Sequence, residues 1–88
     1  MSEINVIITN PTGLHARPAA MFVQKAASFK SKVRVRGNGK EADAKSILAI
    51  MGMGLAKDSE ITLVAEGEDH EECLTALKNL IETNFGEA

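Results

Sequence analysis

Tyrosine and tryptophan are absent from this 88-residue chain, and three phenylalanines are its only aromatic residues. That leaves little with which to stack unpaired bases, and the phenylalanines are expected in the core. Basic blocks are missing as well: ten Lys and Arg stand against twelve Asp and Glu, for a formal charge of -2. A nucleic acid, whose phosphates demand a row of cations, is therefore not an expected partner. The single cysteine, Cys73, cannot form an internal disulfide, and on the apolar stripe of a helix it reads as a small core residue. Residues Met1 to Thr9 show no charged segment followed by a long apolar stretch. No apolar run approaches the roughly 20 residues needed to cross a bilayer, the longest candidate, Ile47 to Met53, being broken by Gly52. The expectation is a cytoplasmic chain without membrane insertion.

Further absences narrow the chemistry. There is no CxxC, no Gly-rich nucleotide loop, and no zinc or iron spacing among His15, His70 and Cys73, so neither metal nor cofactor is expected. His70, among Asp69, Glu71 and Glu72, reads as a solvated surface histidine. Nothing in the spacing of Ser, His and Asp suggests a catalytic triad. A chain of this length buries only about 60 to 65% of its unfolded surface, which leaves no room for a large enclosed active site.

What is present is a clear alternation of periods. Ile4, Val6 and Ile8 recur at period two, as in a strand with one buried face, and Asn10-Pro11-Thr12-Gly13 stops it. From Ala16 to about Ala27 the apolar positions Ala19, Phe22, Val23 and Ala26 fall at helical spacing. Val33 and Val35 mark a second strand, and Gly37-Asn38-Gly39 turns it into a weaker antiparallel one over Lys40 to Ala44. Ser46 can cap a short helix over Ile47 to Met51 that ends near Gly52 or Gly54. Ile61, Leu63 and Ala65 form a fourth strand closed by Gly67. Asp69 and Glu72 have capping-box spacing before a last helix with Cys73, Leu74, Leu77, Leu80 and Ile81 on one face, and its leading acidic residues suit the helix dipole. The order βαββαβα, without linker or repeat, predicts one domain over residues 1–88. Its fold class is α+β, an open-faced sandwich of a four-stranded antiparallel sheet with three helices on one face.

Chemistry concentrates in Gly13-Leu14-His15-Ala16-Arg17-Pro18-Ala19-Ala20. Pro18 belongs in the first turn of a helix, where its missing donor costs nothing, so His15 falls at or next to the N-cap. Such a helix end carries about half a positive charge and free N–H groups, and an anion placed there is stabilised by both. Arg17 supplies planar donors able to offset charge on a phosphoryl group as it arrives and leaves. Further along, Ile47, Leu48, Ile50, Met51 and Met53 offer more apolar surface than a helix of two turns can bury, so part of it should remain exposed as a docking patch.

The octapeptide GLHARPAA resembles the phosphorylation-site signature of the HPr family. Ala44-Lys45-Ser46-Ile47-Leu48, Glu60-Ile61-Thr62 and Ala65-Glu66-Gly67-Glu68-Asp69 are similar to its regulatory-site and final-strand regions. The resemblance implies a phosphocarrier of the bacterial sugar phosphotransferase system, not a self-sufficient enzyme. Enzyme I would phosphorylate His15, through Nδ1, with Arg17 compensating charge, and the group would pass to the IIA unit of a sugar permease. The resemblance also implies that Ile47, Leu48 and Met51 face outward beside Ala16, Ala20 and Gly54 as the partner-binding set. It further implies that Ser46 is a target of an HPr kinase/phosphorylase, favouring a complex with a CcpA-type regulator. The nitrogen-branch paralogue, and a small αβ regulatory domain that never carries phosphate, are the alternatives. The catabolite-repression homologue that lacks the active histidine is set aside by His15.

Overall fold

The computed structural model describes residues 2–86. Its elements are β1 (Ser2–Ile7), α1 (Ala16–Ala27), β2 (Lys32–Gly37), β3 (Lys40–Asp43), α2 (Ile47–Gly52), β4 (Glu60–Glu66) and α3 (His70–Glu82), followed by a short 3-10 turn over Asn84–Gly86. The sheet order is β1-β4-β2-β3, and every neighbouring pair is antiparallel. β4 thus inserts between β1 and β2, the two strands that α1 connects, giving the split arrangement of an α+β open-faced sandwich.

Period-two patterning fixes the register. Val6 lies opposite Ile61, Ile4 opposite Leu63, and Val35 opposite both Leu63 and Ala42. These residues form the inner face, and a slip of one position would turn each of them toward water. Against this face pack Ala19, Phe22 and Ala26 of α1, Ile50 of α2, and Cys73, Leu74, Leu77 and Ile81 of α3. The other face is wet: the Thr62 hydroxyl donates to Asn5 Oδ1 at 2.7 Å, and Glu41 pairs with Arg34 and with Arg36. Those guanidiniums, Arg34 first, hold the Glu41 carboxyl below its usual value. All three side chains are well exposed, so salt screens much of their attraction.

Several expectations hold, among them the span of α1, the Ser46 cap and the core position of Cys73. Burial, and then the charge of Asp69, raise the Cys73 thiol above its ordinary value, which disfavours a reactive thiolate. Phe22 and Phe85 are fully buried, while Phe29 is only partly buried against the same core. Phe85 belongs to a C-terminal turn that periodicity did not foresee, with Asn84 at φ 56° and Phe85 at φ 55°. Burial of a whole aromatic ring offsets the cost of left-handed backbone there.

Two expectations are corrected. Asp69 occupies the N-cap position of α3 but makes no side-chain capping bond. Its carboxylate instead accepts from the backbone N–H groups of Lys30 and Ser31, each at 2.9 Å, and from the Ser31 hydroxyl. A cluster of three donors on the α1–β2 connection outcompetes one helix amide for the same carboxylate. Nor is His70 simply solvated: it is half-buried, and its Nδ1 lies 2.7 Å from the Ser2 hydroxyl, joining α3 to β1.

The Asp69 cluster yields a pH prediction. Hydrogen bonds from Ser31 first, then Lys30, favour the ionised carboxylate and hold it below the ordinary aspartate value of 3.8. The stability it contributes is therefore fully present above that pH and is lost as pH falls through the lower native value. Asp69→Asn should lower the urea midpoint at pH 7, and the gap to wild type should close as the pH drops below 3.8. A gap unchanged across that range would refute this assignment.

Candidate functional site

Strand β1 ends where Ile8 N–H donates to Ser59 C=O at 2.9 Å and Asp58 N–H donates to Ile8 C=O at 2.7 Å. The chain then turns through Asn10 to Gly13, closed by Gly13 N–H to Asn10 C=O at 3.1 Å. Glycine is required at the end of this turn for two reasons. Its φ is +63°, and a Cβ there would stand 2.5 Å from the Leu55 carbonyl oxygen and 2.7 Å from Ala56 Cα. Close approach lets Leu14 N–H donate to Leu55 C=O at 2.8 Å while the Leu14 side chain enters the core.

Leu14 in the core forces the next side chain outward. His15 is the exposed N-cap of α1, with extended backbone at φ -78° and ψ -174°. Its carbonyl accepts from Ala19 N–H at 2.8 Å, the first bond of the helical ladder. The imidazole makes no capping bond, so the ring is not committed to holding the helix. Pro18 has no N–H, which leaves Ala16 and Arg17 to present amides at this helix end without an intrahelical partner. The first turn contains no acidic residue to occupy them. Arg17 is exposed in the same turn. Together these groups place an exposed imidazole and a guanidinium at the positive end of α1.

Helix α2 lies against α1. Ser46 caps it by accepting from Ala49 N–H at 3.3 Å, and Ile50 and Met53 point into the core. Ile47, Leu48 and Met51 remain exposed, Leu48 to 81%. Ala16 and Gly54 are exposed and Ala20 is half-buried, so the structure leaves each of the six apolar positions named from sequence at least partly accessible. Asn38, at the tip of the β2–β3 hairpin, donates through Nδ2 to Met53 C=O at 3.1 Å and to Gly54 C=O at 3.2 Å, tying the end of α2. Leu55 follows at once and meets Leu14. The histidine turn and the apolar helix are thus joined by one connection.

Sequence reasoning missed Asn10 and Leu55. Asn10 read only as part of a strand-stopping turn, yet its side chain is fully buried, with Nδ2 donating to Gly13 C=O at 2.7 Å and to Thr12 Oγ1 at 3.3 Å. Leu55 acts through its carbonyl, which no side-chain pattern announces. Among the described residues no group of His, Cys, Asp and Glu is arranged to hold a metal ion, and no helix is long and apolar enough to cross a membrane.

Comparison with known proteins places this geometry. Residues 2–83 match the family described as PTS HPr component, phosphorylation site. The crystal structure of HPr-C-His from Thermoanaerobacter tengcongensis is similar with a TM-score of 0.97 and 49% identity, over 100% of this chain and 99% of that one. Phosphocarrier protein HPr from Bacillus anthracis is 40% identical over 91% of this chain and 95% of its own, with a TM-score of 0.88. The catabolite repression HPr of Bacillus subtilis, Crh, is 41% identical over 91% and 95%, with a TM-score of 0.68. With the match spanning nearly all of the described residues and including the turn that bears His15, the chain belongs to the HPr family of phosphocarriers of the phosphotransferase system.

Proposed function

We propose that His15 accepts a phosphoryl group from phospho-Enzyme I and donates it to the IIA unit of a sugar permease, the whole chain acting as one carrier domain in the cytoplasm. The observation that carries this reading is the N-cap position of an exposed histidine whose ring makes no capping bond. In the forward step Nδ1 attacks phosphorus, the bond from phosphorus to Enzyme I breaks, and that pair of electrons returns to Enzyme I. The new phosphoryl oxygens lie at the positive end of α1, where the Ala16 and Arg17 amides can donate to them. Arg17 offsets charge on the moving group without enclosing it. Release to the acceptor demands that restraint, because interactions that stabilise the resting phosphohistidine more than the transition state slow its departure.

Docking is assigned to Ile47, Leu48 and Met51 with Ala16, Ala20 and Gly54. Exposed apolar side chains on a short helix next to the histidine support it, since they offer buried area on association and flexible Met surface to several partners. Ser46 is assigned to regulation by an HPr kinase/phosphorylase. A phosphate there would bring about two negative charges beside Ile47 and Leu48, weakening transfer from Enzyme I and permitting a complex with a CcpA-type regulator.

Incubation with phosphoenolpyruvate and Enzyme I, followed by mass spectrometry before and after acid, tests the central assignment. One acid-labile phosphate is expected on wild type and none on His15→Ala; no added mass with an active Enzyme I would remove the carrier reading. Arg17→Ala should slow transfer by about tenfold to a hundredfold with the fold intact, the loss of one charge-stabilising group. Ser46→Asp should raise the KM for transfer from Enzyme I, and an HPr kinase that leaves Ser46 unmodified would end the regulatory assignment.

A further inference from the structure

Asn10 is one of two fully buried polar residues among the described ones, the other being Ser31, which is held by Asp69. An amide taken out of water costs free energy unless its hydrogens are used. Asn10 uses them on the turn that leads to His15. Its Nδ2 donates to Gly13 C=O at 2.7 Å and to Thr12 Oγ1 at 3.3 Å, while its own carbonyl accepts from Gly13 N–H at 3.1 Å. Both polar groups of the Gly13 backbone are therefore gripped by one residue from inside the protein. Leu55 and Ala56 pack so closely against Gly13 that an added Cβ would stand 2.5 Å from the Leu55 carbonyl oxygen and 2.7 Å from Ala56 Cα.

That double grip has a directional consequence. Gly13 is the residue most able to rotate, and only Leu14 separates it from His15. With the Gly13 carbonyl fixed by Asn10 and the Leu14 N–H fixed by Leu55, the peptide between Gly13 and Leu14 is held at both of its polar atoms. The path of the chain into the N-cap is then set, and with it the backbone that carries His15 at the start of α1. A turn needs no buried side-chain amide merely to reverse direction, since the main-chain bond from Gly13 to Asn10 already closes it.

We propose that Asn10 is a positioning residue for phosphoryl transfer: its buried amide holds the Gly13–Leu14 peptide and so fixes His15 in the geometry from which it attacks. The role rests on the phosphocarrier reading and extends it to a residue that touches neither the phosphoryl group nor a partner. Loss of the grip lets the N-cap residue sample other orientations, and misplacement of a reacting group by about 1 Å can cost up to about a hundredfold in rate.

The test compares the full-length wild type, Asn10→Asp and Asn10→Ser as acceptors from phosphoenolpyruvate and Enzyme I, alongside thermal unfolding and the chemical shifts of the His15 ring protons. Asn10→Asp keeps the size but, ionised, cannot donate to the Gly13 carbonyl. The expected result is a kcat lowered between about tenfold and a hundredfold, a KM for the carrier within about twofold because the apolar face of α2 is untouched, and displaced His15 ring signals. Folded variants with lower melting temperatures but wild-type kcat and unchanged ring signals would overturn the role and leave Asn10 as scaffold only. A wild type that takes no phosphate from an active Enzyme I would overturn the carrier reading itself, a separate outcome. Independently of any variant, the Asn10 side-chain amide protons in wild type should exchange with solvent far more slowly than those of exposed Asn79; equal rates would contradict the grip.

Discussion

A sheet that is dry on one face and wet on the other is the constraint from which the rest of this structure follows. With only one layer of helices to cover it, the sheet must present Val6, Val35, Ile61 and Leu63 on a single side, and α1 and α3 must lie across that side with Phe22, Leu77 and Ile81 inward. Helices so placed end at the margins of the sheet. Their termini, and the loops that feed them, are therefore at the surface. The N-terminus of α1 becomes an exposed positive end because the fold has no second layer to bury it.

Exposure would be of little use without precision, and the histidine turn has it. Leu14 is drawn into the core, Gly13 passes close to Leu55 and Ala56, and the Asn10 amide closes the turn from beneath. A side chain in water thereby follows directly on a peptide, Gly13–Leu14, held at both of its polar atoms within the protein. The same contact joins the turn to Gly54 and α2, whose end is tied by Asn38. The exposed apolar residues of α2 are therefore held at a fixed offset from the turn that bears His15.

Most of this fold was legible as periodicity. Strands with one buried face alternate at two, helices with one buried stripe repeat near 3.6, and glycine, proline and serine mark the joins. Pro18 located the start of α1 and hence the N-cap His15. What periodicity does not carry is competition between partners for one group. Asp69 has the spacing of a cap, but the two N–H groups and the hydroxyl of Lys30 and Ser31 hold its carboxylate, a preference that depends on a neighbour 38 residues away. The burial of Asn10, the carbonyl of Leu55 and the turn that seats Phe85 are likewise tertiary facts. The candidate site was legible where a local motif carried it, and illegible where support comes from segments distant in sequence.

The central claim is that the first-turn amides of α1 receive the phosphoryl group carried by His15. Amide proton shifts measured on isotope-labelled protein before and after phosphorylation by Enzyme I test it most directly. Strong downfield movement of the Ala16 and Arg17 amides, with the strands unperturbed, is the predicted result. Phosphate on another residue, or a phosphohistidine that leaves those two amides where they were, would contradict it.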